Sequence, residues 1–131
     1  EETITDKNLL GRYQKGLFVH LWATWCAPCE VEFPDFISFA KKFKKENIGF
    51  LLVAVNDDDK KIKKFLKRFK DLPENIHLVH DHQGKLMGNM GTVRVPDTYV
   101  FDKDGGHINK FVGPQNWLSH GFYQMISGYF E

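Results

Sequence analysis

Apolar positions along the chain change period several times, and each change marks an element. "LFVHLWAT" (Leu17–Thr24) is almost continuously apolar, as a strand covered on both faces requires. Beyond it Phe36, Phe39, Ala40 and Phe43 recur at helical spacing, which predicts a helix over about Ala27–Lys45. Pro34 lies inside that span and should kink it, because proline removes a helical hydrogen bond and crowds the preceding turn. "IGFLLVAVN" (Ile48–Asn56) repeats the buried-strand pattern. Asp57–Asp59 then opens a helix with Ile62, Phe65, Leu66 and Phe69 on one side, acidic residues suiting the positive end of a helix. A third strand is expected at "IHLVHD" (Ile76–Asp81). A hairpin is expected over Asp97–Gly113, its turn set by Asp104-Gly105-Gly106. The last segment carries Leu118, Phe122, Met125, Ile126 and Tyr129 as an apolar helical stripe.

Strands alternating with helices, followed by a hairpin and a closing helix, predict an α/β fold with a mixed central sheet and helices on both faces. No repeat or linker divides the 131 residues, so a single domain is expected, with 1–16 as a loosely packed lead-in and 17–131 as the core. Twelve phenylalanines and 42% hydrophobic residues suit a packed core and exclude disorder. No apolar run reaches the roughly 20 residues that span a bilayer. The chain starts Glu-Glu, without an initiator Met or a cationic-then-apolar leader, and reads as a mature or trimmed chain from which any targeting segment has been removed. Eleven of the eighteen Lys and Arg fall between Lys41 and Lys70. They read as the solvated faces of two amphipathic helices, since no base-stacking or base-reading motif accompanies them and nucleic acid is not an expected partner.

The two cysteines, Cys26 and Cys29, stand in "WATWCAPC". A structural zinc site commonly takes four Cys and His ligands, so His77, His80 and His82 of "HLVHDH" would have to complete it. His80 and His82 would share one strand face, yet nothing in the order of elements brings that strand to Cys26. A redox pair explains more. Where a strand runs into a helix, Cys26 falls at the helix start, where unpaired N–H groups and the dipole favour a thiolate. Cys29, one turn along and facing the protein, is near enough to close a disulfide. Cys26 would exchange with an external disulfide and Cys29 would resolve the mixed disulfide. Pro28 suits an early helical position, where its missing N–H is no loss.

"FVHLWATWCAPC", "EFP" with Pro34, and "VPDTYVFDKDG" together resemble the thioredoxin superfamily. Within it they are most similar to the TlpA/ResA-like branch of extracytoplasmic thiol:disulfide oxidoreductases. The resemblance implies a thioredoxin-like fold, with Cys26 as the exposed nucleophile and Cys29 as the resolving thiol. It implies that Trp25 flanks the site, with Ala27, Pro28 and Val95 in the substrate-contacting surface. Pro96 takes the place of that family's cis-proline, which would leave the Val95 backbone free to pair with an extended substrate. Glu32, one turn beyond Cys29, takes the place of a glutamate implicated in proton transfer with the buried cysteine; burial favours the neutral form of a carboxyl and lets it exchange a proton with a thiol. One departure stands six residues before Cys26: His20 occupies a position where Asp or Asn is usual. Its two readings are a satisfied core histidine and a candidate proton relay for Cys29.

The function implied is that of a thiol:disulfide oxidoreductase, an enzyme with no bound cofactor and no metal, its dithiol being the redox centre. The resemblance implies a reductant in an extracytoplasmic compartment, as in cytochrome c maturation, acting on protein disulfides as a monomer. An upstream electron donor would recharge it, and a membrane anchor outside these residues is compatible with that role. The alternative is a metallochaperone of the same fold holding copper(I) through Cys26 and Cys29. A peroxidase would need a lone reactive cysteine with nearby Thr and Arg, which the paired cysteines do not offer.

Overall fold

The computed structural model describes residues 12–130. Five strands, β1 (Gly16–Trp22), β2 (Ile48–Val55), β3 (Ile76–Asp81), β4 (Asp97–Asp102) and β5 (His107–Val112), alternate with helices α1 (Ala27–Lys41), α2 (Asp59–Leu66), α3 (Lys85–Asn89) and α4 (His120–Gly128). They form one sheet in the order β3-β2-β1-β4-β5. The first three strands run parallel, and β4 and β5 join antiparallel. β1 is the central strand and is buried along its whole length, as its unbroken apolar run requires. The expected mixed α/β sheet with helices on both faces is what forms.

Alternation along β1 divides its side chains between two layers. Phe18, His20 and Trp22 face α1: Phe18 packs on Phe39, His20 on Phe36 and Trp22 on Phe33. Phe65 of α2 closes on Trp22 and Phe33, and Phe122 of α4 on Phe39. Leu17 and Val19 face the opposite side, where they line a cavity with Leu86 of α3 and Met90. Phe18, Phe33, Phe36, Phe39, Phe43 and Phe50 are buried. Each such ring withdraws from water an apolar area worth about 1.5–3 kcal/mol.

Several expectations need correction. The α1 helix ends at Lys41 rather than Lys45, because bonding there tightens. The N–H groups of Lys42, Phe43 and Lys44 donate to Phe39, Ala40 and Lys41, three residues back, a usual way for a last turn to close. Phe43 stays buried even so. Pro34 does lie inside α1, on its exposed side. The segment before residue 17 is not all lead-in. Residues 1–11 lie outside the described ones, but Tyr13 is buried and β1 begins at Gly16. A Cβ at Gly49 would meet the Tyr13 ring at 2.3 Å, so this close packing requires glycine there. In the C-terminal stripe only Ile126 is buried, while Leu118 and Met125 are exposed. Trp117, just ahead of α4 and outside the stripe, is fully buried like Ile126.

Candidate functional site

Cys26 is the N-cap of α1, in extended conformation with φ −100°. Its carbonyl accepts the first helical bond, from the N–H of Glu30 at 3.1 Å. Its Sγ accepts the backbone N–H of Cys29 at 3.2 Å. The sulfur therefore satisfies one of the orphan donors at the helix start, as a capping oxygen would elsewhere. The two cysteines form a disulfide with their Cα atoms 5.2 Å apart. The expected outward and inward placement survives only as a ranking: Cys26 keeps 6% of its surface and Cys29 1%. Ala27 and Pro28 between them are exposed.

The loop ahead of Cys26 is held from the segment between β2 and α2. Asp57 accepts the N–H and the hydroxyl of Thr24 at 2.6 and 2.7 Å, and the Trp25 ring N–H donates to the carbonyl of Asn56 at 3.0 Å. Trp25 is thereby fixed at one end yet remains 59% exposed. The acidic triplet, expected to serve the α2 dipole, divides its labour. Asp58 is the N-cap and accepts from the Lys60 N–H at 2.8 Å, and Asp59 is the first helical residue. Asp57 turns away to clamp the cysteine loop. The lysines of α2 are exposed, as expected.

Opposite the disulfide, the Val95–Pro96 peptide bond is cis. The carbonyl oxygen of Val95 lies 3.5 Å from Sγ of Cys26, so this backbone group faces the sulfur. Asp97, next in the chain, is buried. It accepts the Thr92 hydroxyl at 3.0 Å and lies 3.6 Å from Nζ of Lys110. The Tyr99 hydroxyl donates to the Met90 carbonyl at 2.8 Å and pairs with Thr92 at 2.7 Å. The contact with Tyr99, and then the nearby Asp97 carboxylate, hold the Lys110 ammonium above its ordinary range. This buried polar network pins both sides of the cis bond.

Glu32 and His20, read separately in the sequence, meet beneath the site. Glu32 is buried, one turn beyond Cys29 on α1. Its Oε1 accepts from the Trp117 ring N–H at 2.7 Å and from the Gln115 backbone N–H at 3.2 Å. Oε2 lies 3.2 Å from Nε2 of His20, too obliquely for a hydrogen bond, and has no other partner among the described residues. His20 bonds through Nδ1 with the Thr98 hydroxyl at 2.8 Å, its cross-strand neighbour, and its ring stacks on Phe36 with centroids 4.0 Å apart. His20 is therefore a core residue and a partner of Glu32 at once. Thr98, Trp117 and Gln115 escaped the sequence reading, and Asp57 was read there only as part of a helix start. The strand spacing of Thr98 opposite His20 was the one available signal, and it needed the β1–β4 register to be read.

His80 and His82 do not approach the cysteines; they gather with Asp59. His77, on the other face of β3, is bonded to the Tyr13 hydroxyl.

Fold and site together define the class: a thioredoxin-like α/β fold whose cysteine pair opens a helix against a cis-proline. The chain belongs to the Redoxin family, whose model matches residues 4–126. It is 31% identical over 101 residues to the thiol-disulfide oxidoreductase ResA of Bacillus thuringiensis subsp. konkukian (strain 97-27), covering 77% of this chain and 57% of that one. It is 32% identical over 115 residues to the thiol:disulfide interchange protein DsbE of Pseudomonas fluorescens biotype C, covering 86% and 58%. The aligned part thus spans 57% and 58% of the length of these two relatives. Among solved structures, the crystal structure of a thiol:disulfide interchange protein of the thioredoxin family from Chlorobium tepidum TLS matches with a TM-score of 0.76. That match covers 98% of this chain and 86% of that one at 23% identity, and shows the shared fold.

Proposed function

We propose that this chain is a thiol:disulfide oxidoreductase that reduces cysteine pairs of other proteins, with Cys26 as the attacking sulfur and Cys29 as the resolving one. The observation that carries the reading is the disulfide at the start of α1, its Cys26 sulfur lying between the Cys29 N–H and the Val95 carbonyl.

In the reduced state the Cys26 thiolate attacks one sulfur of a substrate disulfide, and the other substrate sulfur leaves as a thiolate. The Cys29 thiolate then attacks Sγ of Cys26 and expels the first substrate sulfur. Two electrons pass to the substrate, and the Cys26–Cys29 disulfide remains. Cys29 must shed its proton before it attacks, from a site 1% exposed. Glu32 serves this step. With Oε1 committed to Trp117 and Gln115, Oε2 is the oxygen left to take a proton, and His20 stands beside it. Exposed Trp25, Ala27 and Pro28, with Val93 two residues ahead of Val95, supply the surface on which a substrate segment rests.

The names of the two relatives support exchange with protein thiols. The finer reading is of a single-domain, monomeric reductant in an extracytoplasmic compartment, recharged by an upstream dithiol donor and serving cysteines such as those that bind haem. Equilibration of the pair with glutathione and dithiothreitol buffers tests that direction. A reductant gives a potential below about −220 mV, whereas a value near the roughly −120 mV of strong disulfide donors reverses the assignment.

A further inference from the structure

His80 and His82 stand at the C-terminal end of β3, the same end of the parallel strands from which β1 enters the cysteine loop. Two positions apart, they share a face, and their rings lie 3.7 Å apart between centroids at 35°. The first residue of α2 completes the group: Oδ1 of Asp59 is 2.6 Å from Nδ1 of His80. One ligand atom from each of the three side chains can be chosen so that all lie within 4.8 Å of one another. The second nitrogen of His80, Nε2, is buried with no hydrogen-bond partner among the described residues.

We infer that Asp59, His80 and His82 form a site for a divalent transition-metal ion of the zinc class, separate from the cysteines. Two imidazole nitrogens and one carboxylate oxygen suit zinc, copper(II) or nickel rather than magnesium or calcium, which prefer oxygen alone. Zinc bonds of about 2.0–2.2 Å place tetrahedral ligand atoms about 3.4 Å apart. The 2.6 Å Asp59–His80 pair must therefore open by less than about 1 Å, which exposed Asp59 can accommodate by side-chain rotation. Three protein ligands leave a fourth position for water, as in open zinc sites. Neighbouring acids do not compete for the ion, since Asp57 is held by Thr24 and Asp58 by the Lys60 N–H. Metal and thiol chemistry are separable because His77, the third histidine of the segment, is engaged by Tyr13 and neither cysteine joins the cluster.

Titration of zinc chloride into the oxidised, disulfide-closed protein tests the site by calorimetry, with a chromophoric chelator as competitor. One equivalent binds in the wild type. Both His82→Ala and the nearly isosteric Asp59→Asn weaken binding, the histidine change by about 100-fold or more, while His120→Ala on α4 leaves it unchanged. Circular dichroism confirms that each variant is folded. Absence of saturable binding overturns the inference, as does binding that His82→Ala and Asp59→Asn leave intact; the cluster would then be a surface hydrogen-bonded triad only.

Discussion

Replacing Cys29 with Ser leaves the reduced protein joined to its substrate through Cys26, and intact mass shows a stable one-to-one mixed disulfide. Replacing Cys26 with Ser yields no adduct, and in both variants turnover of a disulfide-bonded test protein falls to background. The reason is positional. Only the Cys29 sulfur, one turn along with its Cα 5.2 Å from that of Cys26, can attack the mixed disulfide from within. The backbone N–H that supports a sulfur charge also points at Cys26 and not at Cys29. An adduct carried by Cys29 in the Cys26→Ser variant would reverse the two roles.

The second large effect falls on Glu32. Glu32→Gln keeps an oxygen for the Trp117 and Gln115 donors but removes the atom that takes a proton. Unfolding stability stays within about 1 kcal/mol of the wild type, while the resolving step slows on the order of 10²-fold, the scale of a lost acid–base group. Glu32→Ala behaves differently. It strands the buried Trp117 and half-buried Gln115 N–H donors and takes from His20 its carboxylate neighbour, and it costs about 2–5 kcal/mol in urea unfolding. If Glu32→Gln leaves the single-turnover rate unchanged while Glu32→Ala still destabilises, Glu32 is a structural acceptor and the proton leaves Cys29 by another route.

The strands and the cysteine helix were legible because each rests on a local pattern. The apolar runs around Phe18 and Phe50, the period from Phe36 to Phe43, and the Asp104-Gly105-Gly106 turn all lie within short windows. The Asp102 side chain indeed closes that turn on the Asp104 and Gly106 N–H groups. What was not legible depends on distant pairings. Glu32 and Trp117 are 85 residues apart, and His20 and Thr98 are 78 apart. No periodicity connects such pairs before the register is known. The α3 helix, five residues long with Gly88 inside it, is too short to show a period. The C-terminal stripe misled because helical spacing identifies a face but not how deep it sinks, and Leu118 and Met125 lie at its rim. Asp57 was assigned to the helix it precedes; it does accept the Asp58 N–H there, but it also binds Thr24 in a loop 33 residues earlier.

On the proposed mechanism Cys26, and not Cys29, is the sulfur that meets the substrate. Alkylation of the fully reduced protein across pH, read by peptide mass, measures this directly. Cys26 is expected to be modified first and at lower pH than Cys29, because the start of α1 and the Cys29 N–H support its thiolate. Preferential labelling of Cys29, or equal labelling of both with the titration of an ordinary thiol, would contradict it.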